Sequence, residues 1–134
     1  VFTAEREVNA MLDLVANECL RPDSRFLEPA CGNGNFLTAI LKRKLSELRR
    51  KYKNSPYDYE KLAIVAIGSL YGVDIMRDNV EECRERLFSI WNEEYTAQLQ
   101  IGRIGRSQTG CKVYHQQKYH QRKCPDPYVR RCRR

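Results

Sequence analysis

The chain has 134 residues, of which 42% are hydrophobic and 31% are charged, a composition typical of a single folded domain rather than a disordered segment. The longest nearly apolar run, residues 62–73, is too short to cross a bilayer, and the first residues lack the apolar stretch of a signal peptide. We therefore expect a cytoplasmic protein with no membrane partner, whose cysteines are reduced.

The net charge of +7 is unevenly distributed along the chain. Residues 101–134 contain ten Lys and Arg and one Asp, which gives this tail +9 and leaves −2 for the first hundred residues. Hydrophobic periodicity also stops near residue 100. We therefore divide the chain into a near-neutral body, 1–100, and a basic, irregular C-terminal tail, 101–134. The charge of the tail favours polyanionic partners, nucleic acid foremost.

Helical periodicity and short apolar strands alternate along the body, which indicates an α/β fold with a parallel sheet flanked by helices. The predicted elements are a helix over residues 5–20 capped by Thr3, a strand over 26–28, and helices over 35–51 and 58–69. A strand over 70–75 and a helix from about residue 78 follow. The first helix is expected to bury Val8, Met11, Leu12, Val15 and Cys19. The helix over 35–51 carries a basic face, including Lys42, Arg43 and Lys44, that we expect to be solvated.

The stretch from Arg25 to Leu37 combines the end of a strand, a glycine turn and the start of a helix. Pro29 cannot donate to a strand ladder, so the first strand should end before it. Gly32 and Gly34 have no Cβ, which permits positive φ angles and a close approach of the backbone to a ligand. The following helix supplies amides at its N-terminus. This order predicts the nucleotide-binding corner of a doubly wound sheet.

Acidic residues follow both predicted strands, where ligands of such sheets bind. Glu28 ends the first strand, and Asp74, near the end of the second, could accept the hydroxyl groups of a ribose while Ile75 lies against an adenine ring. A dinucleotide site is the alternative. However, Leu37 replaces the third glycine of Gly-x-Gly-x-x-Gly. Asp74 also follows Glu28 by 46 residues, where a dinucleotide site expects about 20.

The sequence Leu-Glu-Pro-Ala-Cys-Gly-Asn-Gly-Asn-Phe-Leu, residues 27–37, closely resembles the cofactor motif of the amino-DNA methyltransferases. Phe2-Thr3 resembles their N-terminal Phe/Tyr-Thr-Pro element, with Ala4 in place of proline, and residues 71–75 resemble their second-strand element. The resemblance implies a Rossmann-like class I methyltransferase fold over residues 1–100, incomplete here, that binds S-adenosyl-L-methionine. It implies cofactor contacts at Phe2, Thr3, Glu28, Ala30, Gly32, Gly34, Asp74 and Ile75.

By the same resemblance, the activity is site-specific methylation of the exocyclic amino group of adenine in DNA, within a restriction-modification system. Specificity or restriction subunits are then the expected protein partners. The family's catalytic Asn/Asp-Pro-Pro-Tyr/Phe motif is absent from this sequence; its nearest counterpart, residues 125–128, reads Pro-Asp-Pro-Tyr and follows no apolar strand. The catalytic residues therefore remain unknown, and we expect this chain alone to be inactive. A truncation or frame shift near residue 100 would account for the missing elements.

The tail offers two further interpretations. Cys111, His115, His120 and Cys124 have the ligand types of a tetrahedral zinc site, but their spacing matches no established zinc module, so we assign no metal. The alternative function is a non-catalytic nucleic-acid-binding protein that uses the basic tail. Binding of S-adenosylmethionine that depends on Asp74 distinguishes the methyltransferase from this alternative.

Overall fold

The computed structural model describes residues 2–99, which form five helices and a two-stranded parallel sheet. In chain order the elements are α1 (Glu5–Asp13), α2 (Ala16–Leu20), β1 (Phe26–Glu28), α3 (Asn35–Lys51), α4 (Pro56–Gly68), β2 (Leu70–Gly72) and α5 (Arg77–Leu99). The described part of the chain is therefore mostly helical, and it is α/β in the loose sense of a small parallel sheet packed against helices. Among these residues, no helix combines the length and apolar character needed to cross a membrane.

The two strands pair in parallel, with Phe26 opposite Leu70 and Glu28 opposite Gly72. Backbone hydrogen bonds continue the pairing past both strands, because the Val73 amide donates to the Glu28 carbonyl and the Cys31 amide donates to the Val73 carbonyl, each at 2.9 Å. The carboxyl ends of the strands, and the loops that follow them, are thus held side by side. The parallel pairing of the two strands is therefore as predicted. The second strand, however, ends at residue 72 rather than 75.

Helix α3 is the centre of the core and packs against both strands and the other four helices. Its bounds, Asn35–Lys51, are those that the hydrophobic periodicity predicts. The residues that α3 and α5 bury include five leucines and one tryptophan, and the Trp91 indole nitrogen donates to the Ala63 carbonyl of α4 at 2.9 Å. The packing of α3 against α4 and α5 therefore fixes the helical layer on which the glycine turn rests.

The single N-terminal helix predicted over residues 5–20 is wrong: a turn at Leu14 and Val15 divides it into α1 and α2. The amides of these two residues donate to carbonyls three positions earlier, and Val15 has non-helical backbone angles. Of the residues expected to be buried, Val8, Leu12 and Cys19 are buried, whereas Met11 on α1 and Val15 at the break are exposed. Ala4, not Thr3, occupies the N-cap position of α1.

The solvated role predicted for Lys44 is also wrong, since its side chain is fully buried. The Lys44 ammonium donates to the carbonyls of Pro22 and Ser24, at 3.3 and 2.5 Å, and to the Ser69 hydroxyl at 2.6 Å. Pro22 and Ser24 precede β1, and Ser69 precedes β2. Three N–H groups thus meet three acceptors, and Lys44 ties together the amino ends of both strands.

Burial lowers the pKa of Lys44 to about 8, from an ordinary value of 10.5. Because the folded protein releases this proton at a lower pH than the unfolded chain does, the Lys44 contribution to the free energy of unfolding should rise between pH 8 and pH 10.5. We expect a rise on the order of 2–3 kcal/mol in the wild type relative to Lys44→Met, measured by urea denaturation across that range.

The matched control for this prediction is Lys42→Met, which removes a charge from an exposed position of the same helix. This variant should remain within about 0.5 kcal/mol of the wild type at pH 7 and keep the same pH dependence. An identical pH dependence in the wild type and Lys44→Met would show that the buried ammonium does not titrate in this range.

Candidate functional site

The glycine turn that joins β1 to α3 has the backbone geometry that its two glycines permit. Gly32 and Gly34 have φ angles of +52° and +90°, in the left-handed region that other residues rarely adopt. Gly34 is the N-cap residue of α3: its amide donates to the Cys31 carbonyl and its carbonyl accepts from the Thr38 amide, both at 2.8 Å. The amides of the first helical turn, residues 35–37, therefore have no partner within the helix.

Both glycines also lie against other parts of the protein. A Cβ atom at Gly34 would come within 2.5 Å of the Cys83 sulfur on α5, and one at Gly32 would come within 2.9 Å of the Phe2 ring. A larger residue at Gly34 would therefore displace the Cys83 side chain or α5, and one at Gly32 would displace the Phe2 ring. In this structure the close approaches that the glycines allow are made by Cys83 and Phe2, so Gly34 faces the helical layer while Gly32 lies beneath Phe2.

Asp74 connects the loop after β2 to the glycine turn. Its Oδ2 atom accepts a hydrogen bond from the Gly32 amide at 2.9 Å, across 42 positions of sequence. Its Oδ1 atom accepts from the Met76 amide at 2.7 Å and from the Asn79 side chain at 3.2 Å. An ionised carboxylate bonded to amides is a strong, oriented acceptor. The structure thus brings together two predicted site residues that lie 42 positions apart in the sequence.

The N-terminal segment reaches the glycine turn through Phe2 and Thr3. The Phe2 ring packs over Gly32 yet remains 52% exposed, and the Thr3 carbonyl accepts from the Asn35 side-chain amide at 3.1 Å. Arg86 of α5 completes this connection by donating to the Asn33 carbonyl at 2.8 Å and to the Asn35 Oδ1 atom at 2.9 Å.

Asn35 and Arg86 therefore hold the site together, although sequence reasoning did not single them out. Asn35 lies inside the glycine motif, so the motif itself could have marked it as a candidate site residue. Arg86 lies 51 residues beyond Asn35 and belongs to no motif.

The remaining predicted site residues, Glu28, Ala30 and Ile75, lie near the glycine turn and Asp74. The Glu28 Oε1 atom accepts from the Ala30 amide at 3.3 Å; Glu28 is half-buried and Ala30 is exposed. Ile75, next to Asp74, is 87% exposed. Two carboxylates, a set of helix N-terminal amides and two exposed apolar side chains are thus placed around the carboxyl ends of the strands. Such a set can bind a ligand that combines a hydroxylated ring, a flat apolar group and a charged end.

A narrow cavity lies nearby but on the helical side of the sheet, separate from this open edge. It is lined by Cys31, Leu37, Gly72, Val80, Cys83, Arg84 and Leu87. Its lining is largely apolar and includes neither Glu28 nor Asp74. We therefore place the candidate site at the exposed ends of the strands, and treat the cavity as a feature of the packing between the glycine turn and α5.

No family model, curated protein or solved structure matches this chain. Within residues 2–99, no group of three or more His, Cys, Asp or Glu side chains is arranged to hold a metal ion. The tail residues considered for zinc binding, and the Pro-Asp-Pro-Tyr sequence at 125–128, lie outside the described residues. The interpretation of the site therefore depends on its geometry and on the sequence motif.

The contact between Gly34 and Cys83 gives a direct test of the turn geometry. Gly34→Ala should lower the free energy of unfolding by about 2–4 kcal/mol, because a Cβ at a φ of +90° is strained and also meets the Cys83 sulfur. Replacing Cys83 by Ala removes the 2.5 Å contact with the sulfur but leaves the Cβ contact at 3.2 Å and the strain, so the double variant should recover roughly 1 kcal/mol relative to additivity. Urea denaturation of the wild type, both single variants and the double variant measures this coupling.

Strictly additive effects of the two substitutions would contradict the contact between α5 and the turn. A stability of Gly34→Ala equal to that of the wild type would contradict the positive φ angle as well.

Proposed function

We propose that residues 1–100 form the S-adenosylmethionine-binding part of an adenine-specific DNA methyltransferase with a Rossmann-like class I arrangement. The single observation that carries this proposal is the hydrogen bond from the Gly32 amide to Asp74, with the Phe2 ring packed over the same glycine. These contacts bring together the N-terminal segment, the glycine turn and the loop after β2, which are the three segments whose sequences resemble the family's cofactor-binding elements. The proposal assigns cofactor contacts to Phe2, Thr3, Glu28, Ala30, Gly32, Gly34, Asp74 and Ile75.

Asp74 is the residue proposed to accept a ribose hydroxyl of the cofactor. A carboxylate has about four lone-pair positions, and three of them are used by Gly32, Met76 and Asn79. The remaining position is on Oδ2, beside the glycine turn. One hydroxyl can therefore bind without rearrangement, whereas a second requires the Asn79 side chain to turn away. Asn79 then becomes the side chain that responds to ligand binding.

The adenine and methionine ends of the cofactor match the two sides of this centre. The exposed surfaces of Ile75 and Phe2 offer apolar contact for a flat base. On the other side, the amides that begin α3 suit a carboxylate, and Glu28 suits an ammonium group. The cationic cofactor, which supplies an electrophilic methyl group on its sulfonium, is also favoured by the two acidic side chains.

Methyl transfer needs more than this site. A group that accepts hydrogen bonds from the target amine and an aromatic ring that stacks on a flipped base are expected of an adenine methyltransferase. The sequence supplies no matching motif in residues 1–100. We therefore propose that this chain binds the cofactor and that the target-binding part, DNA contacts and any specificity or restriction subunit lie elsewhere.

The second candidate is a non-catalytic nucleic-acid-binding protein. The charge of +9 on residues 101–134 is the observation that favours it, because clustered Lys and Arg bind phosphate backbones without sequence preference. This function requires no ligand at the ends of the strands. The two candidates therefore differ in whether the body binds S-adenosylmethionine.

Calorimetric titration of the chain with S-adenosylmethionine tests the proposal. The wild type should bind, and Asp74→Ala should remove measurable binding, because it deletes both the ribose acceptor and the bond that holds the glycine turn. Glu85→Ala, which removes a carboxylate from an exposed position of α5, serves as the control and should bind within about twofold of the wild type.

Deletion of residues 101–134 should also leave binding largely intact. If the wild type takes up no S-adenosylmethionine, the methyltransferase proposal fails for this chain, and retention of DNA binding would then favour the second candidate.

A further inference from the structure

Two cysteine thiols meet beneath the glycine turn, and neither has a role in the proposed cofactor contacts. Cys31 lies within the turn and Cys83 lies on α5; both line one narrow cavity between the turn and α5, and their exposed fractions are only 7% and 4%. The Cys31 thiol also lies 3.6 Å from the Gly32 carbonyl, to which it can donate. The pair therefore connects α5 directly to the turn.

Glycines fix the positions of both sulfur atoms. The Cys83 sulfur occupies the space that a side chain at Gly34 would need, since a Cβ there would lie 2.5 Å away. The Cys31 side chain packs likewise against Gly72 of β2, where a Cβ would lie 3.0 Å from the Cys31 Cβ and 3.1 Å from its sulfur. The two thiols are thus confined between β2, the turn and α5. Such confinement limits how far either sulfur can move from the cavity that both cysteines line.

The environment gives the two thiols different chemical roles. The hydrogen bond from Cys83 lowers the pKa of Cys31, although burial and the carboxylates of Asp74 and Glu28 oppose this effect. The same hydrogen bond, together with burial, raises the pKa of Cys83. Cys31 is therefore the better nucleophile, and Cys83 is the thiol available to react second. By contrast, burial raises the pKa of Cys19, whose thiol faces the Leu12 carbonyl.

Both thiols also border the same internal space. Both cysteines line the narrow cavity between the turn and α5, together with Leu37, Val80 and Leu87. The cavity therefore reaches both sulfur atoms although little of either side chain is exposed.

We propose that Cys31 and Cys83 form an oxidant-reactive pair that a hydroperoxide converts into a reversible disulfide. The Cys31 thiolate attacks the terminal peroxide oxygen; the O–O bond breaks, an alcohol leaves with a proton, and Cys31 becomes a sulfenic acid. The Cys83 sulfur then attacks the Cys31 sulfur and displaces water, which forms the S–S bond. Two thiols and one hydroperoxide thus give one disulfide, one alcohol and one water.

The disulfide would change the geometry of the turn. An S–S bond of about 2.05 Å is much shorter than any hydrogen-bonded separation of two sulfur atoms. Oxidation therefore draws the turn and α5 together, and it removes the thiol proton with which Cys31 can donate a hydrogen bond to the Gly32 carbonyl. Because Gly32 is also bonded to Asp74, the oxidised pair would alter the edge at which the candidate site lies. The cross-link itself is independent of any ligand.

The test uses the full chain, reduced and then treated with one to two equivalents of tert-butyl hydroperoxide under denaturant-free conditions. Thiols are blocked, the protein is digested with trypsin without reduction, and the peptides are identified by mass spectrometry. The expected product joins residues 26–42 to residues 78–84, in roughly tenfold excess over any cross-link to Cys19, and dithiothreitol reverses it. Because this measurement uses the unmodified sequence, it does not depend on whether a cysteine variant folds.

Two variants sharpen the assignment. Cys83→Ser should leave Cys31 as a sulfenic acid, trapped by a dimedone-type reagent, whereas Cys19→Ser should leave the cross-link unchanged. Recovery of unmodified Cys31 and Cys83 after oxidation would overturn the proposal. A disulfide map dominated by Cys19 or by the tail cysteines Cys111, Cys124 and Cys132 would also overturn it.

Discussion

The candidate site depends on one hydrogen bond, from the Gly32 amide to the Asp74 carboxylate. The parallel pairing of β1 and β2 brings the two following loops alongside each other, but only this bond joins their ends through a side chain within the described chain. It sets the position of the glycine turn on which the Phe2 ring rests. At the opposite ends of the same strands, Lys44 gathers carbonyls of the turn before β1 and the Ser69 hydroxyl before β2. A small sheet is thereby fixed at both ends by polar side chains.

Much of this arrangement could be predicted from the sequence because it is locally encoded. The bounds of α3 follow from its periodicity, and the turn follows from Pro29, Gly32 and Gly34, whose backbone requirements are specific. The predicted bounds of the first strand and the predicted start of the second also agree with the structure. Residues that are neighbours in a motif could therefore be assigned to the correct elements without tertiary information.

What sequence reasoning missed depends on tertiary contacts. Lys44 reads as one of several surface lysines, and only the fold shows that carbonyls and a hydroxyl surround it. Arg86 contacts the turn from far along the chain, and no local pattern marks it. The break at Val15 divides the predicted helix in two, although the helical spacing of apolar residues continues through it in the sequence. In each case tertiary packing or the burial of polar groups determines the structure, and hydrophobic periodicity carries no information about either.

The proposed function requires that S-adenosylmethionine bind at the edge formed by the glycine turn and Asp74. Backbone amide chemical shifts, recorded while this cofactor is added to isotope-labelled protein, test the claim directly because they report the position of the ligand. Saturable shifts are expected at residues 2–3, 28–36 and 74–79, with the Gly32 amide and the Asn79 side chain among them. Saturable shifts confined to α4 or to residues 101–134, or no shifts at all, would contradict it.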